Sequence, residues 1–184
     1  MRNVIKVCMV AIFMLNMSYG FAQNSKELTA IEDATVHIKS RDANYGGEDK
    51  IEVKRSGRII NAFVKFDISG HEASINKAIM KLYCVGMENT DVSTGIDVYA
   101  TENDWSEKTL TYNNAPKPIR KQCSVTVDKK DQYYEFDVTK FVKQQLAAGE
   151  KEVSFRLSDQ EKTNNSIFFN SKEARKNKPL LIIE

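Results

Sequence analysis

The side chains that most often carry catalysis are sparse and scattered in this chain. It has two histidines, His37 inside a Thr35-Val36-His37-Ile38 strand pattern and His71 in a turn-rich stretch. There is no His-x-x-x-His, no Cys/His cluster and no Gly-x-Ser-x-Gly, so zinc and α/β-hydrolase chemistry have nothing to rest on. No glycine-rich phosphate loop occurs, and nothing among the 25 acidic residues nominates a carboxylate pair for glycoside hydrolysis. His37 with Tyr83, Tyr99 or Tyr133 has the base and hydroxyl that a jelly-roll polysaccharide lyase would use, which stands as a minor alternative. The stretch Asp42-Ala43-Asn44-Tyr45-Gly46-Gly47-Glu48-Asp49 offers oxygen ligands and begins like a calcium loop. Val53, however, stands where the bidentate Glu of an EF-hand belongs. A solvated hairpin loop explains the same residues, so a metal there is left open, and no cofactor is expected.

A second pattern lies on strand faces. Where Ile51 and Val53 point inward, Lys54 points out; where Ala62, Val64 and Phe66 point inward, Phe63 and Lys65 point out. By the same alternation Lys81 and Tyr83 oppose Met80 and Leu82, Tyr99 opposes Val98, and Arg156 opposes Phe155 and Leu157. Flat rings and cations are what a sugar polymer carrying carboxylates needs from a protein surface. Lys54, Lys65, Lys81, Tyr83, Tyr99 and Arg156 are therefore the candidate binding face for an acidic polysaccharide. An ordinary charged surface that discourages edge-to-edge strand pairing reads the same way, and spacing alone does not say which strands are neighbours.

The elements that must position these residues are strands. Two-residue alternation recurs at Ile51–Lys54, Ala62–Ile68, Ile96–Ala100 and Val153–Ser158, separated by turn-rich stretches such as Asp42–Asp49, Glu88–Gly95 and Tyr112–Pro118. Strands so spaced predict an all-β fold, an antiparallel jelly-roll β-sandwich of eight to ten strands. One short helix is expected over Lys140–Ala148, capped by Thr139 and stopped by Gly149, with Phe141, Val142, Gln145 and Leu146 on one side. Pro179 fits the start of a last strand, Leu180–Ile183.

Residues 1–22 read as a secretory signal peptide: basic Arg2 and Lys6, an apolar Val7–Met17, then small Ser18, Gly20 and Ala22. The apolar run is about half the length a membrane span needs. The remaining residues, 23–184, are expected as one exported domain, extracellular or periplasmic. Residues 1–22 carry the two basic residues Arg2 and Lys6 and no acid, so residues 23–184 hold 25 basic and 25 acidic side chains and no net charge. Bulk electrostatics thus gives nucleic-acid binding no support. Cys84 and Cys123 both fall on inward faces, and an oxidising compartment permits either a bridge or two free thiols.

Four phrases go beyond a generic sandwich: Asp33-Ala34-Thr35-Val36 with Asn44-Tyr45-Gly46; Asn61-Ala62-Phe63-Val64-Lys65-Phe66-Asp67-Ile68; Asp104-Trp105-Ser106-Glu107 with Thr109-Leu110-Thr111-Tyr112-Asn113-Asn114-Ala115-Pro116; and Phe136-Asp137-Val138-Thr139 with Pro179-Leu180-Leu181. In this order, over residues 30–184, they resemble the DNRLRE-type domain, carbohydrate-binding module family 96. The resemblance implies a jelly-roll sandwich that binds polysaccharide, alginate-like acidic polymers included. Such domains usually accompany an enzyme on a longer chain, so a separate carbohydrate-active enzyme or a surface complex is an expected partner. A structural or adhesion subunit that docks other proteins is the alternative. Within the phrases Trp105 is expected to pack at a corner, Asn113 and Asn114 to shape a turn, and Asp67 and Asp137 to hold backbone donors.

Overall fold

A computed structural model describes residues 25–159 and 161–184; the expected signal peptide, residues 1–22, lies outside them. The described residues form an all-β sandwich, as the alternation requires, with eleven strands among them, slightly more than the roughly eight to ten expected. In chain order they are β1 (Lys26–Thr29), β2 (Glu32–His37), β3 (Lys50–Ser56), β4 (Arg58–Asp67), β5 (Ala78–Met87), β6 (Thr94–Thr101), β7 (Pro118–Val127), β8 (Gln132–Asp137), β9 (Glu152–Asp159), β10 (Ile167–Asn170) and β11 (Leu180–Ile183). The pairing is antiparallel throughout, in the order β1-β11-β5-β10-β3-β4-β9-β6-β7, with β8 also on β5 and β2 also on β4. The curl turns at β3. Its first half, Lys50–Val53, pairs with β10, and its second half, Lys54–Ser56, with β4. Layer one therefore holds β1, β11, β5, β8 and β10, layer two holds β2, β4, β9, β6 and β7, and β3 belongs to both.

The main core lies between the layers. Met80, Leu82, Phe136 and Phe169 come from layer one, and Val64, Phe66, Ile96, Val98, Phe155 and Leu157 from layer two, all fully buried. The helix α1 (Thr139–Ala147) closes one end, with Phe141 set edge-on to Phe155 at 5.7 Å between centroids. Its start differs from expectation. The cap position is Val138, without a side-chain bond; Asp137 accepts from the Thr139 N–H at 3.0 Å, and the Thr139 hydroxyl binds the Ala78 backbone. Thr139 thus ties the helix to β5 instead of capping it. Gly149, at φ +78°, ends the helix as expected, where a side chain would be strained.

A second, smaller core has no counterpart in the alternation. Ala34, Val36, Phe63, Trp105 and Leu110 bury one another on the outer face of layer two. The segment 102–117 covers that face, so the middle of β4 is buried on both sides. Cys84 and Cys123 are free thiols, and burial pushes both up to about 11. Among the described residues no helix is long and apolar enough to cross a membrane, and no three His, Cys, Asp or Glu side chains gather as a metal would need.

Candidate functional site

Layer two builds its outer face from a row of residues set across four strands. Phe63 on β4 is the cross-strand partner of Arg156 on β9, Arg156 of Tyr99 on β6, and Tyr99 of Lys121 on β7. At ~4.8 Å between neighbouring strands the row runs about 14 Å. Above it the segment 102–117 is pinned at several points. The Trp105 indole lies 5.9 Å from the Phe63 ring and donates Nε1–H to Ser154 Oγ at 3.0 Å. Asn114 folds the turn on itself, accepting from Thr111 N and donating to the Thr109 carbonyl. Asn44 donates to the carbonyls of Glu107 and Leu110, and Asn113 to Asp42. These three hydrogen bonds lock the Asp42–Asp49 loop to the covering segment. Gly46 sits so close that an added Cβ would lie 2.0 Å from the Glu107 carbonyl oxygen. The loop read as a possible calcium site is here a structural clamp.

Between cover and sheet remains a cleft of about 250 Å³, lined by Asn61, Phe63, Tyr112, Pro116, Lys117 and Arg156. Arg156 is its central charge. No carboxylate among the described residues pairs with it, and its Nε is buried without a hydrogen-bond partner. Burial pushes the guanidinium below its ordinary value, against the pull of Tyr112 and Tyr99, with Arg55 adding repulsion. A half-buried cation without a partner is an energetic deficit that an incoming anion relieves. Arg41 stacks over Tyr112 at 5.2 Å and Lys117 lines the same opening, so cations dominate around the cleft. Tyr99 donates to Asp97 at 3.0 Å, and Asp97 also accepts from Lys121 at 2.7 Å. Burial would raise the Asp97 carboxyl, but these bonds and one from Ser124 bring it below its ordinary range.

The six residues chosen from alternation do not share one face. Tyr99 and Arg156 are neighbours, as the row requires. Lys65 lies on the same face but is only 5% exposed, so its expected solvent position is wrong. It donates to the Trp105 carbonyl at 2.6 Å, pairs with Glu32 at 2.7 Å, and stands 4.7 Å over the Trp105 ring. The covering segment has turned a surface lysine into a structural one. Lys54 is equally buried, against expectation, because β3 bends between layers there; it binds Glu88, whose carboxyl it holds below the ordinary range. Lys81 and Tyr83 belong to the outer face of layer one, on the opposite side of the molecule. Lys81 pairs with Glu135 at 3.1 Å, and Tyr83 meets Tyr133 edge-on at 5.2 Å. His37 stacks on Tyr45 at 4.3 Å, not on Tyr83, Tyr99 or Tyr133.

Lys117, Lys121, Tyr112 and Arg41 were missed. Tyr112 was legible only as part of a turn motif, and Arg41 and Lys117 lie outside strands. Lys121 is hidden by a bulge: Val98 pairs with Cys123 but Tyr99 with Lys121, so Gln122 is the extra residue. Counting back in twos from inward Cys123 would point Lys121 into the core; the bulge turns it out. Trp105 packs as expected, and Asp67 and Asp137 hold the N–H groups of Ser69 and Thr139.

The sequence model of carbohydrate-binding module family 96 matches residues 24–184. A gellan lyase from a Bacillus species is 32% identical over 166 residues, which is 86% of this chain and 7% of that protein. The chain thus spans a small part of that relative's length.

Proposed function

The chain belongs to carbohydrate-binding module family 96, and on that premise we propose that it is a non-catalytic, exported module that holds an acidic polysaccharide in the cleft of layer two. One observation carries the reading: the Arg156 guanidinium faces an open cleft, half-buried and unpaired, with Tyr112 and the Phe63 ring beside it. A sugar carboxylate would supply the partner that Arg156 lacks, and Tyr112 a flat face for the ring that bears it. Lys117, and Lys121 further along the row, then extend the grip along a polymer. Exposed ion pairs are individually worth about 0–1 kcal/mol, so affinity grows with the number of sugars engaged. The similarity to part of a gellan lyase supports a module that works beside an enzyme acting on a polysaccharide.

Affinity electrophoresis in gels containing alginate, gellan or a neutral glucan tests this. Wild-type protein should be retarded by an acidic polymer, and Arg156→Ala should lose at least tenfold in affinity, about 1.4 kcal/mol, with an unchanged melting curve. Raising salt from 0.1 M to 1 M should weaken retention, since screening shortens from about 10 Å to about 3 Å. No retardation in any acidic gel, with specific capture of a protein partner instead, would favour the structural-subunit reading.

A further inference from the structure

A different groove lies at the seam between the layers, where β2 of layer two meets β3 and β10. His37 and Tyr45 stack at 4.3 Å with their planes 26° apart, forming one wall. Phe168 on β10 forms the floor, set between its cross-strand partners Glu52 on β3 and Gly86 on β5. The cleft between them is about 290 Å³. Gly86 puts no side chain against the half-buried ring, where an added Cβ would sit 3.6 Å from it, in ordinary contact. Glycine within a strand marks a bulge or a close approach, and β5 has its bulge here, beside the uncovered ring.

The polar groups have the opposite sign from those of layer two. Glu52 Oε1 is buried without a hydrogen-bond partner, and Glu48 and Asp49 line the same cleft with Lys50 as its cation. Burial also pushes the His37 imidazole below its ordinary value, so it adds no charge near neutral pH. A second depression of about 580 Å³ shares Asp49 and Lys50 with the first and reaches Tyr83, three residues along β5 from Gly86, roughly 10 Å. That depression carries both signs, Arg175 and Lys176 beside Asp131 and Glu173, but in the first cleft a sugar carboxylate would meet Glu48, Asp49 and Glu52 against the single Lys50. A neutral sugar would instead satisfy Glu52 with a hydroxyl and lay its apolar face on Phe168.

We infer that this groove is a second saccharide site, selective for uncharged pyranose units. It rests on the reading that the chain binds polysaccharide, and it would let one module engage acidic and neutral stretches on the two sides of β2, where Val36 lines one cleft and Thr35 and His37 the other.

Calorimetric titration of the purified protein with cellohexaose, mannohexaose, a chitosan hexamer and an alginate hexamer tests it. A neutral hexamer should bind, and Phe168→Ala should lose at least tenfold in that affinity while Arg156→Ala loses none. Where Phe168→Ala fails to fold, Glu52→Gln carries the test and should lose severalfold. Binding by neither neutral hexamer, including the case where only the cationic chitosan hexamer binds, overturns the inference. So does a folded Phe168→Ala, or Glu52→Gln, that binds the neutral hexamer normally. The alginate arm reports separately: loss there on Arg156→Ala supports the layer-two cleft whatever the neutral sugars do.

Discussion

The two outer faces of this sandwich start from the same strand alternation and end as different surfaces. On layer two, segment 102–117 lies across the sheet, buries Phe63 and Lys65 beneath Trp105, and leaves Arg156 unpaired at its margin. On layer one, the loops 38–49 and 171–178 stand at the rim, so Phe168, Tyr83 and Glu52 stay half-buried and reachable. Lys65 and Arg156 make the contrast sharpest. Both are outward cations on adjacent strands, yet one is anchored by Glu32 and Glu152 and the other by no carboxylate among the described residues. A face's chemistry is set by the segment laid over it, since cover decides which charges keep water and which must find partners.

Removing the cover should have the largest effect. Trp105→Ala deletes an indole packed on Phe63 and its bond to Ser154, and should cost about 3–5 kcal/mol in denaturant unfolding. Acidic-polymer binding should disappear while the groove beside Phe168 keeps its neutral-sugar binding; simultaneous loss of both would show that the two sites are not independent. Lys65→Ala leaves Glu32 without its cation, and should destabilise by about 2 kcal/mol, because Glu32 and Glu152 retain some water. Arg156→Ala, by contrast, removes an unpaired charge and should leave the melting curve unchanged. Equal melting losses for the two variants would erase the distinction between anchored and free cations.

A pH experiment probes the seam between the regions. Asp33 is buried where Glu107 of the layer-two cover meets Lys172 and Glu173 of the layer-one rim, and accepts from the Lys172 N–H at 2.6 Å. Burial pushes its carboxyl up to about 8, from 3.8 in the unfolded chain, despite the Lys172 bond. Between those values the folded state holds a proton that the unfolded state has lost, so this residue makes stability fall as pH rises from about 4 to 8. Asp33→Asn should remove that slope, on the order of 1 kcal/mol per pH unit, and unfolding curves at several pH values will read it. Stability of the variant that tracks wild type across this window would mean Asp33 ionises normally.

The smallest effect belongs to the exposed pair of layer one. Lys81→Ala breaks a bridge to a largely exposed Glu135, and should change stability by less than about 0.5 kcal/mol and leave acidic-polymer binding intact. A marked loss of alginate binding would move the acidic site to layer one.

Much of the architecture was legible as sequence because it rests on local rules. Two-residue alternation marked the strands of both layers, Gly149 marked the end of α1, and Asp67 and Asp137 marked turns that their carboxylates hold. Family phrases such as Trp105–Glu107 and Thr109–Pro116 pointed to the segment that later proved to be the cover. What sequence by itself determined was therefore which side of an unbulged strand faces the core, since that depends only on neighbours two residues apart. Only the tertiary structure decided which strands adjoin and what lies over their outer sides. It set Arg156 beside Tyr99, turned Lys121 outward through a bulge at Gln122, sank Lys54 where β3 crosses layers, and closed Trp105 over Lys65. Those outcomes depend on contacts between residues far apart in the chain, where pairing register and loop path carry the information and local alternation carries none.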